Sequence, residues 1–166
     1  MAIRIRPYRE SDAVEVGLLI AETFRRFNLY HATPEEQSKL LGPFRHAGSE
    51  NPDHRRAVAD VLRAPLVLVA LDEQAQRIVG VLRGRAGRLH SLFVAADWHR
   101  RGIGRRLMDE FEKRVRAAGN KKITLQSTLH AIPFYERLGY KRSTGVRSGP
   151  CFDGDGFRYQ PMKKAL

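Results

Sequence analysis

Cysteine is almost absent from this 166-residue chain: Cys151 stands alone. One thiol excludes an intramolecular disulfide framework and any zinc site built on several cysteines. Long hydrophobic runs are missing as well. The longest, Ala64 to Leu71, is far too short to cross a bilayer. The stretch Met1 to Arg6 is basic, but no apolar signal core follows it. Aromatic residues make up only 8% of the chain, and no RNA-stacking motif is visible. The six histidines (His31, His46, His54, His90, His99 and His130) show no paired metal-ligand spacing, so no metal is expected. These absences predict a soluble, cytoplasmic protein with no membrane partner. Acidic residues are in deficit: 30 Lys and Arg stand against 18 Asp and Glu, a formal net charge of +12. Such a balance favours anionic partners, among them phosphates, nucleic acid and acidic surfaces.

What is present is an ordinary globular composition, 42% hydrophobic and 29% charged. Its length suits a single domain spanning residues 1–166. Ile3-Arg4-Ile5-Arg6 alternates like an edge strand that Pro7 ends. Ser11-Asp12 supplies a helix N-cap, and Val14, Leu18, Ala21 and Phe24 step at helical spacing as far as about Phe27. Thr33-Pro34-Glu35-Glu36 reads as a second helix start, and Pro52 to Leu62 as another short helix. Leu66 to Leu71, Ile78 to Leu82 and Leu89 to Val94 then follow as strands of an antiparallel meander. Leu107, Phe111, Val115 and Ala118 mark one face of a long helix closed by Gly119. Ile123 to Gln126 is a strand, Ala131 to Leu138 a short helix ended by Gly139, and Phe157 to Lys163 a last strand. The order predicts one α+β domain.

The stretch most informative about chemistry runs from Leu92 to Leu107. A strand leads into a basic, glycine-containing loop, His99-Arg100-Arg101-Gly102-Ile103-Gly104-Arg105, and then into an amphipathic helix. Glycines allow close backbone approach to a ligand. Amides at a helix N-terminus attract anions, and Arg100, Arg101 and Arg105 add full charges. A pyrophosphate suits such a site. A Rossmann fingerprint needs a third small residue where Leu107 stands, and a P-loop needs Gly-Lys-Ser/Thr. Neither is present.

His99-Arg100-Arg101-Gly102-Ile103-Gly104 resembles motif A of the GNAT N-acetyltransferase superfamily, Gln/Arg-x-x-Gly-x-Gly/Ala, with His in the first position. Downstream, Ala131-Ile132-Pro133-Phe134-Tyr135-Glu136-Arg137-Leu138-Gly139-Tyr140 is similar to motif B of that family. One helix and one strand separate the two, as the resemblance requires. It covers residues 78 to 140 well. The resemblance implies a mixed, mostly antiparallel central sheet flanked by helices, with acetyl-CoA as cosubstrate. It also implies that the strands Leu89 to Val94 and Ile123 to Ser127 splay apart. The pantetheine arm would pair with the backbone of Leu92, Phe93 and Val94. The diphosphate would sit on Arg100, Arg101, Gly102, Ile103, Gly104 and Arg105. Arg137 and Arg142 compete for the 3′-phosphate. The family habit adds homodimerisation as an expectation.

Acetyl transfer to an amine needs a deprotonated nucleophile, donors for the oxyanion and a proton for the leaving thiolate. Tyr135 matches the family tyrosine that protonates the CoA sulfur, and Phe134 beside it is expected to pack the core. Backbone N–H groups of the Leu92 to Val94 strand are implied as oxyanion donors. His90 is the candidate base, since its ordinary pKa suits the task. Simple alternation places it on one face with Leu92 and Val94, where it equally suits a half-buried structural histidine. Glu22 and a water chain are the other candidates. Ser127 is expected to contact the pantetheine, where relatives carry Asn. Asp153-Gly154-Asp155-Gly156 reads as a hairpin turn, not a calcium loop, and Cys151 as an inert thiol.

The acceptor predicted from this reading is a small-molecule or peptide amine. Its walls are expected from Phe27 to Asn51 and Ser143 to Gly156. Two other functions compete: a basic nucleic-acid-binding module, and a GNAT-like protein that binds acyl-CoA without catalysis. Low aromatic content and the polyanionic nature of CoA argue against the nucleic-acid reading.

Overall fold

The computed structural model describes residues 2–166. Its first strand, β1 (Ile3–Pro7), lies at the edge of an eight-stranded sheet, where proline costs no ladder bond. Arg6 clamps Asp12 through two hydrogen bonds of 2.8 and 2.9 Å, tying β1 to the turn that opens helix α1 (Ala13–Asn28).

The buried face of α1 is Val16, Leu19, Ile20, Ala21 and Phe24, while Val14 and Leu18 are 43% and 47% exposed. The helical stripe expected through Val14 and Leu18 is therefore rotated. Gly17 supplies the reason. A Cβ there would lie 2.8 Å from Val58, so this face accepts the close approach of a second helix. That helix is α3 (Pro52–Leu62), which follows α2 (Pro34–Leu41). Thr33 and Glu36 form a reciprocal capping box at the start of α2.

Three strands follow as the predicted meander: β2 (Leu66–Asp72), β3 (Arg77–Arg85) and β4 (Arg88–Val94). Gly80 faces Leu107 and Ile103, and Phe93 stacks on Phe24 at 5.8 Å. These contacts place α4 (Ile103–Ala117) on one face of the sheet and α1 on the other. Leu107, Phe111 and Val115 of α4 are fully buried, as its spacing predicts, but Ala118 is exposed.

Both α4 and the short α5 (Ile132–Arg137) end in the same way. Gly119 and Gly139 have φ of 86° and 91°. The next amides, of Asn120 and Tyr140, bond back to Val115 and Tyr135 in Schellman geometry. Between the helices runs β5 (Lys122–Thr128). The chain closes with β6 (Lys141–Arg142), β7 (Arg147–Cys151) and β8 (Gly154–Ala165), and β8 runs antiparallel to β5. The sheet order is β1-β2-β3-β4-β5-β8-β6, with β7 also on β8.

β6 and β7 are not evident from the sequence pattern. The hairpin between β7 and β8 turns at Phe152-Asp153, because Cys151 pairs with Gly154. That is earlier than Asp153 to Gly156. Phe152 takes a φ of 53° there because its ring is wedged over Gly42 and against Phe44. Among the described residues, no helix is long and apolar enough to cross a membrane.

Candidate active site

Among the described residues, β4 and β5 are the only parallel neighbours in the sheet, and they pair at Arg88 and Thr124 alone. Thr124 also donates its amide to Gly87 O at 3.0 Å. Beyond this point the strands part, giving the splayed gap that the resemblance implied. Ala95 N–H bonds to Val79 O, and the register holds through Val81↔Phe93. Odd-numbered residues from Ser91 to Ala95 therefore spend their backbone groups on β3. Leu92 and Val94 turn theirs toward the gap. An extended ligand can bond there as an added strand does.

The gap leads to the loop at the start of α4. Arg100 and Gly102 have φ of 61° and 80°, with Arg101 negative between them. This alternation curls successive amides into an anion-binding concavity. The first intrahelical bond of α4 runs from Arg106 N–H to Gly102 O, which leaves the Ile103, Gly104 and Arg105 amides free. Each glycine has its own reason. Gly102 has open space where a Cβ would go, so its backbone angle requires it. Gly104 sits in a tight spot, since a Cβ would meet the Phe134 ring at 3.1 Å and the ring would have to give by a few tenths of an ångström. Arg100, Arg101 and Arg105 are exposed. Arg101 lies over Trp98, 4.8 Å from the ring centre, and Arg105 reaches Asp109 only at 4.0 Å.

Phe134 is half-buried at this helix start and packs against the core, as expected; Tyr135 lies within the core, 6% exposed. The Tyr135 ring meets Phe134 and Tyr140 edge-on at 5.0 and 5.8 Å. Burial pushes its phenol pKa well above the ordinary value, so the group stays protonated at any physiological pH. Tyr140 looks similar in sequence but is committed elsewhere. Its hydroxyl donates to buried Glu112 at 3.1 Å, and Lys164 donates to the same carboxylate at 2.9 and 3.0 Å.

His90 is displaced from its expected face. Arg83 pairs with Ser91, but Gly84 pairs with Leu89, so β4 carries one extra residue at His90. Gly84 admits this bulge, because a Cβ there would sit 2.7 Å from Arg88 O. The slip puts Leu89 on the face of Leu92 and Val94, and His90 beside Ser91 on the opposite face. His90 is exposed there. Partial burial and the charges of Arg83, Arg85 and Arg88 hold its pKa below the ordinary histidine value. Glu22 is exposed on α1 and bears on Arg77. Ser127 is buried with Ile123 and Leu125, and its hydroxyl donates to Thr128 O at 2.7 Å. That donor is occupied.

Residues that the sequence could not bring together also meet at the site. His99 Nε2 lies 2.8 Å from Val94 O. The Phe27 ring lies between His99 and His130, at 4.7 and 5.5 Å, across the wide end of the gap. Phe24 touches both Phe93 and Phe157. The two segments expected to wall an acceptor pocket do meet: Asp153 N–H bonds to Lys39 O, and Arg45 pairs with Asp153 at 3.3 Å. A cavity of about 460 Å³ lies between them, lined by Pro43, Arg45, His46, His54, Ala57, Phe152 and Asp153. Cys151 donates to Leu40 O, and burial pushes its thiol up to about 11, as befits an inert group.

A mixed sheet splayed beside a glycine-bearing anion loop defines the class: this is the acyl-CoA N-acyltransferase fold. The chain belongs to the GNAT acetyltransferase domain family, which matches residues 45–166. Solved structures agree over almost the whole chain. A GCN5-related N-acetyltransferase from Rhodopseudomonas palustris superposes with a TM-score of 0.81 at 21% identity, covering 100% of this chain and 97% of its own. PaiA N-acetyltransferase from Thermoplasma acidophilum, in complex with coenzyme A, gives 0.71 at 19% identity with full coverage of both chains. An aminoglycoside 6′-N-acetyltransferase complexed with coenzyme A gives 0.61 at 22% identity, covering 98% and 96%. No curated protein matches in sequence.

Proposed function

We propose that this protein transfers an acetyl group from acetyl-CoA to a primary amine by direct attack in a ternary complex. The observation that carries the reading is the continuity of one path. The gap-facing edge at Leu92 and Val94, where His99 Nε2 meets Val94 O, runs straight into the concave loop at Arg100 to Arg105. An extended amide-bearing arm ending in a diphosphate has this shape and charge. The neighbours that hold coenzyme A share the fold.

The roles follow from position. Backbone N–H groups on the Leu92 to Val94 edge hold the arm and stabilise the oxyanion, without needing to reorganise. The amine lone pair attacks the thioester carbon, and the carbon–sulfur bond breaks as the tetrahedral centre collapses. Tyr135 gives its proton to the departing sulfur and is reprotonated from solvent. Burial alone acts on its phenol, with no carboxylate or hydrogen-bond partner shifting it among the described residues. The amine's proton passes to His90, directly or through water. His90 is neutral at pH 7 because its pKa lies below the usual value near 6.5. The acceptor is a small-molecule or peptide amine, and the reaction is cytoplasmic.

Thermal unfolding with acetyl-CoA, against ATP and NADH controls, tests the cosubstrate. Ligand at a hundred times its Kd adds about 2.7 kcal/mol, a shift of several degrees. A shift specific to acetyl-CoA and CoA is expected, and its absence rejects the reading. The pH profile tests the base. kcat/KM is expected to fall as pH drops through a value below 6.5, as the imidazole takes up a proton and ceases to accept one. In His90→Gln that acid limb should vanish with the activity it reports. An unchanged profile removes His90 from the reaction.

A further inference from the structure

Among the described residues, the narrow end of the gap carries three arginines that no carboxylate pairs. Arg83 projects from β3 and donates to the last carbonyls of α3, Val61 O and Leu62 O, and to Ser91 Oγ at 3.4 Å. Burial lowers its pKa, and no carboxylate raises it. Arg88 reaches across the apex to Thr124 Oγ1 at 3.3 Å. Arg85 is exposed between them. Among the described residues none of the three forms an ion pair, whereas most charges on α3 and α4 are paired at i+3 or i+4. All three bear on His90.

The placement is functional under the reading proposed above, on which this inference rests. With the diphosphate at residues 100–105, the arm runs from Val94 toward His90, roughly 13 Å of strand. Its reactive end stops where β4 and β5 converge, beside the bulge. An acceptor amine attacking there meets the arginines with whatever else it carries. A dicationic or polycationic acceptor would be repelled. A positive field also disfavours the ammonium form and so supplies the neutral nucleophile.

We infer that the acceptor is an amine bearing its own anionic group, a carboxylate or a phosphate, which docks on Arg85 and Arg88 beside His90 while the amine faces the thioester. Arg83 keeps its place on the end of α3 and adds charge without moving. The carboxylate class and the phosphate class share this chemistry, and the assay separates them.

The test uses the full chain with saturating CoA or acetyl-CoA. Matched probes are offered: phenylalanine against phenylalaninamide and phenethylamine, O-phosphoethanolamine against ethanolamine, and spermidine as a polycation. Release of free CoA thiol reports turnover. The imidazole resonance of His90, assigned by its loss in His90→Gln, reports binding. Turnover of the anionic member of a pair, at a KM at least tenfold below its neutral partner and rising with salt, is expected. Which pair responds names the source of the anion. In Arg85→Gln, an exposed site where folding is not at stake, KM for that probe should rise about tenfold with kcat little changed. A saturable His90 shift by an anionic probe without thiol release would keep the anion site and overturn acetyl transfer. Preference for the neutral partners or spermidine overturns the inference. So does the failure of every anionic probe to bind or react, even if acetyl-CoA binds.

Discussion

Helix α4 has two ends built from the same parts and put to different use. Each is bounded by a glycine with positive φ and open space around it, Gly102 at 80° and Gly119 at 86°. At the first, free amides and exposed arginines form a concave loop beside Phe134 and the gap. At the second, the amides close on the helix's own carbonyls. Nearby, the buried Glu112 carboxylate ties α4 to Tyr140 and Lys164. A helix start has donors to offer, whereas a helix end with a Schellman closure has spent its acceptors. The same residue chemistry therefore leaves donors open at one end and closes on the fold at the other. Tyr135 of α5 and Tyr140 just past its closing glycine repeat the lesson: burial alone acts on the Tyr135 hydroxyl, and Tyr140 commits its own to Glu112.

Substitutions at the two ends should separate binding and turnover from stability. The largest effect is expected from Tyr135→Phe, with kcat down about a hundredfold or more and CoA affinity and Tm retained. Tyr140→Phe should instead lower Tm with turnover intact. If both variants turn over equally, Tyr135 is not the acid. Next is Glu112→Ala, which strands Lys164 and the Tyr140 hydroxyl. It should cost about 3 kcal/mol by chemical denaturation and leave the CoA Kd unchanged.

The glycine pair gives a smaller and better matched contrast. Gly102→Ala and Gly119→Ala each force a Cβ residue into left-handed geometry, for about 1 kcal/mol and roughly 3 °C in Tm. Only Gly102→Ala should also weaken CoA, which calorimetry would register. Equal CoA affinity in both variants would break the distinction between the ends. The smallest effect concerns exposed charge. Arg101→Gln should weaken CoA a few-fold at low salt, and Arg114→Gln, which loses only its surface pair with Glu110, should not.

Much of this architecture was legible in the sequence. Pro52 to Leu62 is a helix at those bounds because proline starts it and the apolar pattern stops there. The meander is legible because three short apolar runs are separated by polar turns. The loop at Arg100 to Arg105 is legible because glycines and charges at a strand-to-helix junction have few other uses. What stayed hidden depended on partners far along the chain. The phase of α1 was set by Gly17 against Val58 of α3, and two helical stripes fit its apolar residues equally well. The face of His90 was set by a bulge that Gly84 permits. Glycine inside a strand is the one sequence signal that could have warned of it.

The sequence by itself determined the order of elements, the anion loop and the tyrosine on its short helix. Those properties are local, carried by periodicity, capping and backbone angles within a few residues. Only the tertiary structure decided that β4 and β5 part after a single pair, and that His90 turns toward three unpaired arginines. It alone showed that Tyr140 commits its hydroxyl to a buried carboxylate. Each of those outcomes depends on which distant groups compete for the same hydrogen bond or the same space, and that competition exists only once the chain has folded.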